Sequence, residues 1–304
     1  LVNVATGLVT SVAVPAGPDG IAVSVSGTTA VATCGTSNAL AVVDIPTATL
    51  TKTIPVSDYY FGGAIALNPS ATKAVVGALN TVRIVDLVTS VVSAGLTTSH
   101  ADEIHTTADG LYAFCVGFSG SLISYASGTL VKNLDGVVSI GHGAVSPVSA
   151  RAVGVGTVFG EDMLIFDTNG ASGSILHHQM SGPGPEGDSA RLMALSRDGT
   201  RVAVTHNASD SVEIRDAASG ALLQHVAVGD RPAEVEFTPD GALAVVANLD
   251  SSFASLVDVA SGVHTAVPIS TRAHQVAISP DGHYAYLATA LADGVWRIDL
   301  VTKS

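Results

Sequence analysis

The sequence predicts an all-β protein, a single seven-bladed β-propeller with four antiparallel strands in each blade. Three observations lead to this prediction. The chain repeats itself every 40 to 45 residues or so, short runs of Val, Ala, Leu and Ile alternate with period two, and Asp-Gly or Ser-Gly pairs separate those runs. Helical periodicity is absent throughout, so we expect almost no helix. One domain spanning residues 1–304 accommodates all the repeats.

The clearest repeat occupies residues 229–269 and reads as four strands, AEVEF, ALAVVAN, ASLVDV and VHTAVPI, with the turns TPDG and ASG between them. The same order recurs at SRDGTRVAVTHN and at SPDGHYAYLAT, and weaker copies fill the rest of the chain. Asp-Gly stands at 109–110, 198–199, 240–241 and 281–282, where it supplies the positive φ that a tight turn needs. Seven blades follow from this count.

The last repeat stops at Ser304 after its third strand, whereas the chain begins with LVNVATGLVTSVAV. That opening matches the end of a third strand, a turn and a fourth strand. We therefore expect residues 8–14 to complete the blade begun by residues 270–304. The ring would then be closed and would leave no open sheet edge.

Composition narrows the class of protein. Hydrophobic residues make up 47% of the chain and charged residues 13%, enough for a large core without disulfides. Cys34 and Cys115 are predicted to be two buried thiols rather than a bridge. The net charge of −13 argues against nucleic acid as a partner. Gly, Ser and Thr interrupt the longest uncharged stretch, which argues against a membrane span. We expect a soluble monomer, with a periplasmic or secreted location slightly favoured.

Residues 232–262, PAEVEFTPDGALAVVANLDSSFASLVDVASG, resemble the repeat of the YVTN family, with VVAN at the place of its namesake tetrapeptide. The resemblance extends over essentially the whole chain. It implies a seven-bladed propeller. The family includes binding and surface proteins and lies near lactonase-type and quinoprotein propellers, so the resemblance is specific for architecture and leaves the activity open.

Polar residues cluster at one predicted face, where the loop before each innermost strand meets the loop between the second and third strands. Functional residues usually lie on such loops. The opposite face carries the repeated turns, whose residues backbone geometry already explains, so we expect a ligand at the first face. Aligning the repeats places the starts of the innermost strands at Asp19, Gly63, Asp102 with Glu103, Gly141 with His142, Arg191, Ala233 with Glu234, and His274 with Gln275.

A divalent metal is one predicted occupant of this face. The candidate ligands are His100, Asp102, His142 and His274, and imidazole with carboxylate suits Zn, Mn, Fe or Ca. In the alternative interpretation the histidines are hydrogen-bonded loop residues, the carboxylates are solvated, and no cofactor is bound. His105 is assigned a packing role and left outside the site.

An anionic ligand is a second predicted occupant. Arg191, Arg231 and Arg272 come from successive blades, and their guanidinium groups could bind a carboxylate or phosphate. In the alternative they form ion pairs with acidic neighbours, namely Glu186, Asp188, Asp230 or Glu234. Tyr60, beside Tyr59 and Phe61, would form an apolar wall or cap the channel. The ligand-binding candidates are Asp19, Tyr60, Arg191, Glu234 and Arg272.

Two functions remain open. The first is a metal-assisted hydrolase of lactone or ester type, with His142, Glu103 and Arg231 as catalytic candidates. The second is a non-catalytic binding or scaffold propeller that recognises a small molecule, peptide, glycan or protein. The sequence contains no GxSxG, P-loop, HExxH or CxxC motif, so none of the common catalytic signatures decides between them.

Overall fold

A computed structural model describes most of the chain. Described residues are those of 1–304 apart from 2, 4–5, 7, 57–62, 79–80, 99–100, 108, 118–119, 135–139, 147–150, 157–161, 168–174, 180–189, 271 and 290–293. In some further strand residues only the backbone is described; these are 133–134, 140–142, 151, 153–156, 162–167, 175–179 and 190–191.

The chain divides into two compact units, Leu1–Ser139 and Ile140–Ser304. The first unit contains three antiparallel sheets of four strands each. Sheet 1 consists of β1 (Pro18–Val23), β2 (Thr29–Cys34), β3 (Ala39–Asp44) and β4 (Thr49–Pro55). Sheet 2 consists of β5 (Ile65–Leu67), β6 (Lys73–Ala78), β7 (Thr81–Asp86) and β8 (Leu96–Thr97). Sheet 3 consists of β9 (Ala101–Thr106), β10 (Tyr112–Gly117), β11 (Gly120–Ser124) and β12 (Leu130–Leu134).

The second unit contains three further four-stranded sheets and one three-stranded sheet. Sheet 4 consists of β13 (Ile140–Val145), β14 (Arg151–Gly156), β15 (Asp162–Asp167) and β16 (Ile175–Gln179). Sheet 5 consists of β17 (Ala190–Leu195), β18 (Arg201–His206), β19 (Ser211–Asp216) and β20 (Leu222–Ala227). Sheet 6 consists of β21 (Pro232–Phe237), β22 (Leu243–Asn248), β23 (Phe253–Asp258) and β24 (His264–Pro268). Sheet 7 consists of β25 (Ala273–Ile278), β26 (Tyr284–Thr289) and β27 (Val295–Asp299).

The all-β prediction is confirmed for the described residues, whose helical structure is limited to a 3₁₀ turn at Gly35–Ser37. None of that structure has the length and hydrophobicity of a membrane-spanning helix.

The pairing of residues 8–14 with the last blade stays a prediction. Residues 8–14 were expected to form the fourth strand of the last blade, but sheet 7 is described with three strands. Within the start of the chain, the Asn3 N–H donates to the Leu8 carbonyl, and the Thr10 N–H donates to the Leu1 carbonyl, both at 2.9 Å. These bonds pair Leu1 with Thr10 and Asn3 with Leu8 in the manner of an antiparallel hairpin, the order of strand, turn and strand that the sequence predicts here.

The Asp-Gly turns have the geometry that the sequence predicts. In sheet 6 the Asp240 carboxylate accepts hydrogen bonds from the Thr238 hydroxyl at 2.6 Å and from the Ala242 N–H at 3.0 Å. Gly241 follows with φ of +69°. Gly110, Gly199 and Gly282 have positive φ at the equivalent turns. The carboxylate thus fixes the turn, and glycine supplies the left-handed backbone conformation.

The core lies between neighbouring sheets of the same unit. One apolar cluster joins sheets 1 and 2, a second joins sheets 2 and 3, a third joins sheets 5 and 6, and a fourth joins sheets 6 and 7. Cys34 and Cys115 are buried free thiols, as predicted. Burial raises the pKa of Cys115 to about 12, so this thiol is chemically inert near neutral pH.

Replacing turn glycines by alanine should separate backbone strain from crowding. At Gly241 a Cβ would meet open space, so Gly241→Ala should cost only the left-handed strain, about 1 kcal/mol. At Gly110 a Cβ would overlap the Pro69 ring, so Gly110→Ala should cost a further 1 to 3 kcal/mol or so. Denaturant unfolding of both variants measures the difference. Equal losses would contradict the crowding argument.

Candidate functional site

Some of the predicted site residues are described in full, some by their backbone alone, and some lie outside the described residues. Tyr60 and His100 lie outside the described residues, and so do the side chains of His142 and Arg191. His142 is located by its backbone, since β13 pairs it with Val155. The remaining candidates are described, and each unit is considered separately below.

In the first unit Asp19 lies beside an apolar cavity of about 400 Å³. Its carboxylate accepts a hydrogen bond from the Thr33 hydroxyl at 2.6 Å. Burial, followed by the charge of Asp19, raises the pKa of the Cys34 thiol above its ordinary value. The cavity is lined mainly by aliphatic side chains, among them Val12, Val14, Ile21 and Val43. Among the described residues that line the cavity, Asp19 is the one with an ionisable side chain.

Glu103 pairs with His105, the residue that the sequence interpretation left outside the site. Glu103 Oε2 lies 3.2 Å from His105 Nε2, and about a third of each side chain is exposed, 31% and 33% respectively. The two residues alternate on β9, so strand geometry places both on one side of the sheet. The Asp102 side chain lies on the opposite side of the sheet and is exposed. Glu103 can thus fix the orientation and the tautomer of the His105 ring.

The second unit brings Arg231 and Arg272 to a common partner. Arg231 Nη1 lies 2.9 Å from one carboxylate oxygen of Asp250, and Arg272 Nη1 lies 3.4 Å from the other. The guanidinium side chains are 52% and 53% exposed. Their partner is not among the acidic residues that the sequence suggested. Asp250 follows β22, in the loop between the second and third strands of sheet 6, so only the folded loop brings it to the arginines.

Backbone contacts hold Arg231 in an unusual conformation. Its φ is +51°, a left-handed value that a non-glycine residue adopts at some cost. The Arg231 N–H donates to an Asp210 carboxylate oxygen at 2.8 Å, and the Arg231 carbonyl accepts from the Leu249 N–H at 2.9 Å. Pro232 follows at once and begins β21. The surrounding loops therefore fix the direction in which this guanidinium leaves the backbone.

Glu234 lies further along β21 and contacts the next sheet, while its predicted part in ligand binding stays a prediction. Its Oε2 accepts a hydrogen bond from the Val276 N–H of β25 at 2.9 Å. Two residues on, Glu236 Oε2 accepts from the Ile278 N–H at 3.2 Å. His274, the second residue of β25, has an exposed side chain. The two glutamates thus connect the first strands of sheets 6 and 7.

Sequence reasoning did not identify a buried ionic cluster in sheet 5. Glu213 Oε2 lies 2.7 Å from Arg215 Nη2 and 3.5 Å from His206 Nε2, and all three side chains are at most 5% exposed. Burial alone would raise the pKa of Glu213, but hydrogen bonds and charge from His206 and Arg215 outweigh it, so this pKa lies below its ordinary value. In sheet 6 the positions of His206 and Glu213 are occupied by the neutral residues Asn248 and Ser255, which are hydrogen-bonded at 3.1 Å. The signal that could have identified the cluster was the strand SVEIRD, which has Glu and Arg where its repeat partner FASLVD has Ser and Val.

Metal binding stays a prediction. Among the described side chains, no group of three His, Cys, Asp or Glu residues is arranged to hold a metal ion. That statement does not cover His100 or the side chain of His142, which were half of the proposed ligand set.

Comparisons with known proteins identify the fold. No family model matches the chain. No curated protein matches it. Among solved structures 1513 chains match, and one belongs to the hydrazine synthase of Kuenenia stuttgartiensis. That match is 18% identical, covers 96% of this chain and 97% of that chain, and has a TM-score of 0.66. At this identity the likeness shows a β-propeller-like all-β fold, which many different functions share.

The buried cluster of Glu213, Arg215 and His206 should contribute strongly to the free energy of unfolding. The partly exposed pair of Glu103 and His105 should contribute little. Glu213→Gln leaves the Arg215 guanidinium buried without its counter-charge, so we expect unfolding free energy to fall by about 3 kcal/mol. The matched change Glu103→Gln should cost less than about 1 kcal/mol, because water screens the pair with His105. Denaturant unfolding at pH 7 compares the two. Similar losses in both variants would show that burial does not set the strength of these pairs.

Proposed function

We propose that the chain is a ligand-binding β-propeller that holds an anionic group, a carboxylate or a phosphate, between Arg231 and Arg272. The observation that carries the proposal is the sharing of one carboxylate by two guanidinium groups. Each guanidinium contacts Asp250 through its Nη1. The planar fork of each arginine has further N–H donors, which the oxygens of a carboxylate or phosphate ligand can accept.

The exposure of the arginines supports ligand access. About half of each side chain faces solvent, so their donors can be reached without opening the fold. A guanidinium presents five N–H donors in a planar fork that matches carboxylate and phosphate oxygens. Exposed ion pairs contribute at most about 1 kcal/mol, so a ligand can compete for donors that Asp250 now holds.

The positions of the arginines favour cooperation between them. Each immediately precedes the first strand of its sheet, Arg231 before β21 and Arg272 before β25. These strands are neighbours in the second unit, because Glu234 and Glu236 connect them. Two forks fixed on adjacent strands can grip one anion from two sides, which gives specificity as well as affinity.

A metal-assisted hydrolase of lactone or ester type stays a prediction of the sequence. It requires His100, Asp102, His142 and His274 to meet, and no described distance joins any two of them. The binding function rests on contacts that the structure describes, and we prefer it for that reason. A peptide carboxylate, an acidic glycan and a small organic acid all present the group that this site would take.

We also infer that the seven sheets form a closed ring of the YVTN type, completed by residues 8–14. Ile21 of sheet 1 is 65% exposed, although the residues at its position in other first strands are buried, Ile65 at 8%, Ile104 at 6%, Met193 at 9%, Val235 at 2% and Val276 at 6%. Each of those is covered by the preceding sheet. An apolar side chain at this position therefore calls for a covering sheet, and sheet 7, with three strands, has an edge to complete.

Anion binding is tested by titrating sulfate, phosphate and citrate into the protein at low ionic strength, with calorimetry as the readout. Arg231→Gln and Arg272→Gln should each weaken binding by roughly tenfold, the loss expected for one charge-assisted hydrogen-bonding group. Arg201→Gln is the matched control, because Arg201 also pairs with an aspartate, Asp216 at 3.2 Å, and is 38% exposed. It should change affinity less than about twofold.

Two outcomes would reject the anion site. One is wild-type protein that binds none of the three anions. The other is an equal loss in Arg201→Gln, which would show that the overall charge of the protein, and not the paired arginines, sets the affinity.

Ring closure is tested by two truncations. Deleting residues 1–14 should lower the melting temperature and the solubility, because it removes the proposed fourth strand and exposes an edge. Deleting only residues 1–7 keeps that strand and should leave both properties near those of the full chain. Equal behaviour of the two truncated proteins would argue against a structural role for residues 8–14.

A further inference from the structure

The first strands of the seven sheets share a position at which alanine is the rule. It is the residue paired with the third residue of each second strand, as Glu236 pairs with Val245, the third residue of β22. The residues at this position are Ala22, Ala66, His105, Ala144, Ala194, Glu236 and Ala277. A glutamate therefore occupies a slot that five of the seven sheets fill with a methyl group. The fold does not require a carboxylate there.

Glu236 uses that slot to contact the next sheet. Its carboxylate accepts the Ile278 N–H at 3.2 Å, while Glu234 accepts the Val276 N–H at 2.9 Å. Both donors belong to β25. The two hydrogen bonds thus connect β21 to β25 along one line, and they are made by carboxylates that alternate on the same side of the strand.

The surroundings of Glu236 oppose a negative charge. Val245, Val276 and Leu287, which belong to the apolar cluster between sheets 6 and 7, are at most 6% exposed. Glu234 is the nearest like charge. Burial, followed by the charge of Glu234, raises the pKa of Glu236 to about 7, and the Ile278 N–H only partly offsets this. On this side, the neighbours of β21 are the strands β22 and β25. Among their described residues there is one titratable side chain, the exposed His274. Strands β17 and β18 lie against the other side of β21.

We propose that Glu236 is a proton-operated contact between β21 and β25. With the proton bound, the side chain remains in the apolar slot beside Glu234 and the two strands stay together. When the proton is lost, two carboxylates share the slot, and the state in which Glu236 swings into water becomes more favourable.

Thermodynamic linkage fixes the direction. In the closed contact the pKa of Glu236 lies above the 4.5 of a solvated glutamate, so closing takes up a proton. The resulting stabilisation is complete below pH 4.5 and is lost as the pH rises through about 7. The contact therefore loosens across the physiological range, where few side chains titrate.

The contact bears on the anion site, and this part rests on the proposed function. Arg231 immediately precedes β21, and Arg272 immediately precedes β25. Loosening the two strands weakens the hold of the paired guanidinium groups on a shared anion. The new negative charge on Glu236 acts in the same direction, so anion affinity should fall as the pH rises.

Amide hydrogen exchange of the wild-type protein tests the contact itself. Between pH 6 and pH 8, and after correction for the intrinsic exchange rate, protection of the Ile278 amide should fall by roughly tenfold, the effect of one pKa unit. The reference is the neighbouring Ser279 amide, which donates to the Tyr284 carbonyl at 2.8 Å within sheet 7.

Two variants complete that experiment. Glu236→Gln keeps an acceptor without a charge and should show protection that is independent of pH. Glu236→Ala restores the common residue of this position, so it should fold, and its Ile278 amide should be poorly protected at both pH values. A pH-independent Ile278 amide in the wild-type protein would overturn the proposal.

Sulfate binding at pH 6 and pH 8 tests the link to the anion site, because sulfate does not titrate in this range. At constant ionic strength, wild-type affinity should fall about fivefold, and Glu236→Gln should lose less than about twofold. His274 is present in both proteins and cancels in the comparison. The same loss in both would overturn the link. Sulfate that binds at neither pH rejects the proposed function, while the exchange data still decide the contact.

Discussion

Close approach of the innermost backbone of neighbouring sheets is the constraint on which the rest of the structure depends. A Cβ on Gly20 of β1 would overlap the backbone of Gly63, which precedes β5. A Cβ on Gly77 of β6 would lie 3.0 Å from the carbonyl oxygen of Ala101, the first residue of β9. Only small side chains allow such spacing, which explains why alanine recurs on the first strands. The larger side chains of the first strands, such as Ile65, Ile104 and Val235, lie on the alternate residues and pack against the preceding sheet.

The constraint gives meaning to the residues that break it. Glu103 with His105 and Glu234 with Glu236 occupy equivalent positions on β9 and β21, each pair alternating on one side of its strand. A charged side chain in a narrow slot costs desolvation, and the raised pKa of Glu236 reflects that cost. Local rules are broken in this way mostly where a protein has a use for the broken rule. Strands β9 and β21 therefore differ from the other first strands, because each carries two ionisable side chains on one side.

The strands and turns of the fold could be predicted from the sequence, because they depend on local chemistry. Thr238, Asp240 and Gly241 make their turn within five residues, so the motif alone is sufficient. The partners in the site could not be predicted in the same way. Asp250 lies 19 residues from Arg231, and the loop that carries it has no periodicity from which its direction could be inferred. The contact of His105 with Glu103 was not predicted either, although the alternation of the two residues on β9 places their side chains on one side of the strand.

Exposure distinguishes the charged groups that stabilise the second unit from those available to a ligand. Glu213 and Arg215 are nearly inaccessible, and a ligand could reach them only by disrupting sheet 5. Arg231 and Arg272 are more than half exposed, and their pairing with Asp250 contributes little to stability because water screens it. The backbone nevertheless holds Arg231 at a positive φ, supported by Asp210 and Leu249. The ion pair with Asp250 therefore adds little to the stability of the fold. Together with the anchored backbone at Arg231, it orients the guanidinium groups before any anion binds.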